Sequence, residues 1–493
     1  MSGTSPDAGL KLNWRFPKTF WIANGAELFE RAAFYGAFIT LKVYLNRRVG
    51  FTDIEAGIVA GCFASILYLL PTFMGAMADK IGFRRALLIA FTLLTMGYGL
   101  LGAFQYKSTV LVSLALIMFG GAIVKPVISG TVAKCSDDAH RARAFSIFYG
   151  VVNIGAFIGK SAAAPLRQEL GLEYINFYAS SMAFLALLCT AIFYRNVDTV
   201  GTGKTVREVW EGLLKVLRHF RFMCLIVIVA GFWFIQGQLY ATMTEYMLRL
   251  LGEDAKPEWL ANINPFVVII LVVPITHLIR RFKSENAIAI GLFIIPLSAL
   301  SIALSSIVEG AAGNSITIIG SLAIHPITLT VIIGIALQGL AECFLSPKFL
   351  EYASKQAPPG EIGLYLGYQH LTTFIAWFFG FIASGFLLDR YCPDPSRLDP
   401  AIGRQRLDAI ANGTPLPEIY AQAHYIWYVF AAVGAAAFLA MLVFKFTTGA
   451  IDRRRATRLA AGADRVICRH DGCGHDNRAD ATFCAQCGRA LHN

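Results

Sequence analysis

Gly75-Ala76-Met77-Ala78-Asp79-Lys80-Ile81-Gly82-Phe83-Arg84-Arg85 is a short polar passage between two long apolar runs. Its glycines permit a tight turn and close backbone approach. Asp79, at the end of one run, is placed to pair with basic groups or with the start of a neighbouring helix. A salt-bridged loop of that kind latches adjacent helices, and Gly75, Asp79 and Arg84 are its candidate gating residues. A plain basic turn is the alternative. The flanks decide the class. The chain has 493 residues, 56% of them hydrophobic and 15% charged, whereas ordinary soluble domains carry about 25% charge. Leu260 to Leu278 and Ile288 to Leu304 are almost free of charge, and about 20 apolar residues cross the hydrocarbon of a bilayer. About twelve such segments follow one another.

The expected fold is therefore an all-α membrane protein with twelve spans in two six-helix halves. The expected divisions are an N-terminal segment 1–18, a six-helix bundle 19–195, a linker 196–221, a second bundle 222–448, a basic linker 449–464 and a terminal module 465–493. Basic residues collect in alternate loops: Lys80, Arg84 and Arg85, then Lys134, Arg141 and Arg143, then Lys215, Arg218 and Arg221, then Arg280, Arg281 and Lys283. Cytoplasmic loops gather Lys and Arg, so both termini are expected in the cytoplasm, with a bacterial inner membrane as the location. The net charge of +11 has the same cause. It does not point to nucleic acid, because the basic residues lie between apolar runs.

Charge inside the spans marks the function. Glu27, Glu30 and Arg31 lie in span 1, three or four residues apart and so on one helix face. Charged groups at membrane depth are costly and mark ion or substrate pathways. Two acids beside one base leave a surplus carboxyl able to take up a proton, although a structural ion pair is the plainer reading. Lys125 lies in span 4, next to Pro126 and after Gly120 and Gly121. It needs a partner, and Glu27, Glu30 and Glu342 are the candidates. Glu342 is a lone acid in span 10, shortly before Pro347. A Lys125–Glu342 pair would join the halves on one side of a cavity, and loading it with a proton or an anion would open that side. Arg31 and Lys125, both donors without acceptors, suit an anion.

The loop Gly75 to Arg85 resembles the signature loop of the major facilitator superfamily. The set Glu27-x-x-Glu30-Arg31, with Phe119 to Ser129, Phe145 to Tyr149, Asn153 to Ala156, Asn262 to Pro265 and Glu342 to Pro347, resembles the proton-dependent oligopeptide transporters. That resemblance covers about residues 19 to 448. It implies proton-coupled uptake of small peptides, with Glu27, Glu30 and Glu342 handling the proton. Arg31, Tyr35, Lys125, Tyr149, Asn153, Asn264 and Ser346 are the implied substrate contacts. The sequence departs from the family at Phe38 and Gly237, where a basic residue and an acid commonly pair, and Glu245 is the expected substitute for that acid. The pocket is thereby expected to be more aromatic than a peptide site.

Four of the ten cysteines crowd the tail as Cys468-x4-Cys473-x10-Cys484-x2-Cys487. Two thiolate pairs suit tetrahedral zinc, and so short a module needs a metal to fold. The tail resembles a zinc ribbon, with Zn2+ in a structural role. His470 or His475 is able to replace one cysteine, and disulfides are the alternative. Nothing in the chain looks catalytic. The leading expectation is a symporter, not an enzyme, whose partners are protons, a peptide or small organic solute, the lipid bilayer and a cytoplasmic protein at the ribbon. The alternatives are an exporter or antiporter of a hydrophobic metabolite, and a transporter-like sensor signalling through the ribbon.

Overall fold

The computed structural model describes residues 16–137, 140–195, 205–313, 315–317, 323–358 and 361–460, and parts of 465–487 around the four tail cysteines. Most of segment 1–18, residues 196–204 of the linker, and His470 lie outside the described residues. The chain forms two compact units, residues 1–438 and 439–493.

The first unit is helical. It runs α1 (Lys18–Ile39), α2 (Leu41–Arg47), α3 (Asp53–Leu69), α4 (Pro71–Ile81), α5 (Phe83–Ala103), α6 (Lys107–Lys134), α7 (Arg141–Pro165) and α8 (Leu172–Phe193). After the linker come α9 (Val206–Arg218), α10 (Phe220–Gln236), α11 (Gln238–Ala241), α12 (Met243–Leu251), α13 (Pro257–Leu260), α14 (Ile263–Leu278), α15 (Ser284–Ala303) and α16 (Ser305–Ala312). An antiparallel pair, Ile316–Thr317 with Ala323–Ile324, precedes α17 (Pro326–Gln356). The last helices are α18 (Ile362–Tyr368), α19 (Leu371–Tyr391), α20 (Pro400–Asn412) and α21 (Tyr425–Ala460), which continues into the second unit.

Among the described residues, ten helices are long and apolar enough to cross a membrane, or eleven when the pair α3–α4, bent by 51° at Leu70, is counted as one span. The bend follows from Pro71, which opens α4 and cannot continue the hydrogen-bonding of α3. α1 lies outside that count because Glu27, Glu30 and Arg31 interrupt its 22 residues. Every segment read from the sequence as a span is helical, span 1 lying on α1 and α2 outside that count. Span 7 is broken into α10, α11 and α12, and span 8 into α13 and α14.

Local chemistry sets the boundaries. Thr52 and Glu55 form a reciprocal capping box that starts α3: Glu55 N–H donates to Thr52 Oγ1 at 3.1 Å, and Thr52 N–H to Glu55 Oε2 at 2.9 Å. Gly82 has φ +87°, a conformation open to glycine and costly for other residues, and it turns the chain from α4 into α5. Arg84 then reaches the end of α8, donating to Tyr194 O at 3.1 Å and Ala191 O at 2.8 Å. The Arg84 contacts at this loop are thus to backbone carbonyls. Asp79 forms no ion pair among the described residues.

The spans before and after the linker meet most closely along α3 and α19. A Cβ on Gly57 would lie 2.6 Å from Phe381 O, and one on Gly385 would lie 2.5 Å from Asp53 O. Backbones approach this closely only where glycine supplies the space. Four ion pairs join the two sets of spans at this same end: Arg249–Asp53 at 2.8 Å, Arg167–Glu258 at 2.6 Å, Arg167–Glu253 at 3.2 Å and Arg47–Glu253 at 2.5 Å.

Candidate functional site

α1 carries the first charged group. Glu27, Glu30 and Arg31 are all buried. Arg31 Nε lies 3.2 Å from Glu27 Oε1, and Arg31 also pairs with Glu30. Glu27 Oε2 is buried with no hydrogen-bond partner, so the surplus carboxyl inferred from the sequence is present as an unpartnered oxygen. The Arg31 guanidinium lies 5.5 Å from the centre of the Phe34 ring. Gly155 of α7 faces it, since a Cβ there would come within 2.7 Å of Arg31 Cβ.

A cavity of about 230 Å³ lies between the two sets of spans. The first set contributes Tyr35, Tyr68, Tyr149, Asn153 and Lys160, and the second contributes Trp233, Gln236, Tyr240, Asn264, Glu342 and Trp377. Helical spacing explains the α7 stripe: Tyr149, Asn153, Ala156 and Lys160 fall three or four residues apart and so share one face. Pro265, in the first turn of α14, lines the wall beside Asn264. Glu342 accepts one long hydrogen bond from Asn264 Nδ2, at 3.5 Å, and forms no ion pair among the described residues. Tyr149 is half exposed, at 51%, and lies toward the start of α7.

Aromatic rings close the cavity beside the tight α3–α19 seam. Phe38 stacks on Trp377 with centroids 5.4 Å apart and planes at 10°, and it lies 5.0 Å from Tyr240. Tyr68 meets Trp377 edge-on at 5.0 Å. Such contacts bury large rings and favour offset or edge geometries. Gly237 makes room for them, since a Cβ there would lie 3.1 Å from Trp377 Cδ1. Aromatic packing thus occupies the place where the sequence resemblance led to the expectation of an ion pair.

Of the residues singled out from sequence, Tyr35, Tyr149, Asn153, Asn264 and Glu342 line the cavity together. Glu27, Glu30, Arg31, Lys125 and Ser346 do not line it, and Ser346 Oγ is buried without a partner. Two expectations need correction. Lys125 does not pair with Glu342: its ammonium lies 4.5 Å from the centre of the Tyr68 ring. Glu245 does not stand in for the missing acid of span 7. It is buried one turn from Arg249 and pairs with it at 3.2 Å. Both failures have the same origin: helical periodicity assigns a face to a residue, but not the neighbour that its long side chain selects.

Sequence reading missed Lys160. It is 2% exposed, donates to Ala261 O at 3.2 Å, and lies 5.4 Å and 5.7 Å from the Tyr35 and Tyr240 rings. Its signal was present as a lone base in the apolar run Phe157-Ile158-Gly159-Lys160. Also missed was the buried set at the sealed end. Arg249 donates twice to Asp53, at 2.8 and 2.9 Å, and to Cys392 O at 2.6 Å, while Lys42 donates to Ser384 Oγ at 2.7 Å.

The tail holds a separate centre. Strands Arg465–Ile467 and Asp476–Arg478 pair antiparallel. The sulfurs of Cys468, Cys473, Cys484 and Cys487 all lie within 4.8 Å of one another. The pairs Cys468–Cys487 and Cys473–Cys484 are each separated by 3.6 Å, too far for S–S bonds at about 2.05 Å. A tetrahedral ion with Zn–S bonds of about 2.3 Å sets its sulfurs about 3.8 Å apart, so the donor set fits one metal ion. Asn477 Nδ2 donates to Cys484 Sγ at 3.4 Å.

Among known proteins, the family model of the Major Facilitator Superfamily matches residues 25–313. The chain is 23% identical over 449 residues to dipeptide and tripeptide permease B of Aliivibrio fischeri, covering 77% of this chain and 88% of that protein. It is 22% identical over 360 residues to multidrug resistance protein MdtH of Photorhabdus laumondii, covering 72% and 83%. Its fold matches the crystal structure of a peptide transporter POT in complex with sulfate, with TM-score 0.67, 21% identity and coverage of 89% and 95%. It also matches a POT family transporter in complex with 5-aminolevulinic acid, with TM-score 0.68, 18% identity and coverage of 88% and 97%.

Proposed function

The chain belongs to the Major Facilitator Superfamily, a membrane transporter fold, and from that premise we propose that it is a proton-coupled symporter importing small peptides or a related small organic solute by alternating access. The observation that carries this reading is Glu342: a carboxyl without an ion-pair partner, lining a cavity built from both sets of spans. Gaining a proton there removes a charge from the wall between the moving parts, the kind of local change that biases a two-state element. Its similarity to peptide permeases supports the cargo class.

On this reading the two sets of spans are the two rocking halves, and the basic loops with both termini face the cytoplasm of a bacterial inner membrane. The end sealed by Arg249–Asp53 and Arg167–Glu258 is then extracellular, and the conformation is inward-open. Glu27 and Glu30 share proton handling with Glu342. Tyr35, Tyr149, Asn153 and Asn264 contact substrate. Arg31 and Lys125, held by the α1 carboxyls and by Tyr68 in this conformation, join the substrate site, with Ser346, only when those contacts rearrange. Gly75, Asp79 and Arg84 form the hinge of the cytoplasmic gate. The tail cysteines hold a structural Zn2+ in a ribbon that presents a surface to a cytoplasmic protein.

The test is uptake of a radiolabelled dipeptide by the intact chain in proteoliposomes under an imposed inward proton gradient. Accumulation above equilibrium that collapses with a protonophore is expected. Equal uptake with and without the gradient would overturn symport, and outward accumulation would support export instead.

A further inference from the structure

The charges that line the cavity are fewer than the sequence led one to expect. Among the described residues, its wall carries one cation, Lys160, and one carboxylate, Glu342, contributed by opposite halves of the chain. Arg31 is neutralised by two carboxyls outside that wall. Lys125 packs its charge against Tyr68. Lys160 is buried and has no ion pair among the described residues, and Ala261 O is its hydrogen-bond acceptor. An ammonium carries three donors, so two remain available. A buried cation left unpaired inside a membrane protein is costly and is retained where it meets a ligand or a counter-charge. Lys160 and Glu342 line one cavity without forming an ion pair with each other.

We propose that Lys160, not Arg31 or Lys125, is the anchor for the cargo carboxylate in this cavity, and that with Glu342 it selects a solute bearing a carboxylate at one end and an ammonium at the other. Three features fit that arrangement. The ammonium of Lys160 is oriented by one hydrogen bond that it donates to Ala261 O, at the start of span 8. Tyr35 and Tyr240 lie beside its ammonium, 5.4 Å and 5.7 Å away, and a carboxylate would accept a charge-assisted hydrogen bond from it. Asn264 is placed to share Glu342 with an incoming ammonium. The rings of Trp233 and Trp377 also line the cavity and suit an apolar or aromatic side chain. The inference rests on the transport reading for the identity of the cavity, and it adds the residue that sets specificity.

The experiment is equilibrium binding to the full chain in nanodiscs with no gradient, using alanyl-phenylalanine and its C-terminal amide as probes and tryptophan fluorescence as the readout. The acid should bind at least about tenfold more tightly than the amide, the scale of one charge-assisted contact. Lys160→Gln should bring that ratio to near one, and Lys160→Arg should keep most of it, which separates loss of the anchor from misfolding. Equal binding of acid and amide to the native chain would overturn the inference, as would a native chain that binds neither. So would a ratio abolished by Lys125→Gln and kept by Lys160→Gln. Because binding is read without a gradient, a preserved ratio alongside absent proton-driven uptake would sustain Lys160 as anchor and sink the coupling alone.

Discussion

Replacing Arg249 with methionine should unseal the end of the protein that carries it. The guanidinium donates twice to Asp53, once to Glu245 and once to the carbonyl of Cys392. Both carboxylates are 1% exposed. Methionine fills much of the volume and restores none of the charge, so two buried carboxylates lose their counter-ion. Breaking a buried pair by removing one partner costs about 3–5 kcal/mol. Lys42, tied to Ser384, remains nearby but forms no ion pair with either acid. Because Asp53 and Arg249 belong to opposite halves, the cost falls on the sealed arrangement and favours opening. At about 1.4 kcal/mol per decade, the open population should rise by roughly two to four orders of magnitude. Cys392 reports this directly, since it is fully buried beside Arg249. Its alkylation by a membrane-impermeant maleimide, followed by peptide mass spectrometry, tracks the open fraction when closing is fast. The triple change Asp53→Asn, Glu245→Gln, Arg249→Met removes every charge together and should return labelling to within about tenfold of native, as expected when no charge is left orphaned. A labelling rate in Arg249→Met within about threefold of native would refute the reasoning.

Gly385→Val should open the same seam by steric means: its branched side chain meets Asp53 O, overpacking of this kind costs about 1–3 kcal/mol, and Cys392 labelling should rise roughly 5- to 150-fold. A rate unchanged from native would show that α3 and α19 are not packed as described. In the tail, the purified full chain should contain one zinc per molecule by plasma mass spectrometry, and Cys484→Ser should lower that content to near zero. Metal-free native protein, or thiols already joined as disulfides, would contradict the four-sulfur centre.

Much of the fold was legible because a bilayer demands long apolar runs and because Gly, Pro and basic residues mark where those runs end. The bend at Pro71, the turn at Gly82 and the capping box at Thr52 each follow from local chemistry. Glu27, Glu30 and Arg31 were legible for a related reason: charge inside an apolar run has few explanations. Arg249 and Asp53 were not, because charges near span ends are ordinary and their pairing spans 196 positions of sequence. Lys160 carried the same lone-base signal as Lys125, but Pro126 and the pair Gly120 and Gly121 set Lys125 apart in the sequence. The choice between those two cations rests on side-chain packing: Lys125 settles on Tyr68 and Lys160 enters the cavity. The departure at Phe38 did forecast an aromatic site, and the structure adds that Phe38 stacks on Trp377 from the opposite half.

The measurement that bears most directly on proton coupling through this cavity compares Glu342→Gln with the native chain in one set of proteoliposomes, reading dipeptide uptake driven by a proton gradient and counterflow exchange without one. Glutamine keeps the shape of the carboxyl but holds the side chain permanently uncharged. Driven uptake should fall to background while exchange persists. Driven uptake that survives the substitution would contradict the account.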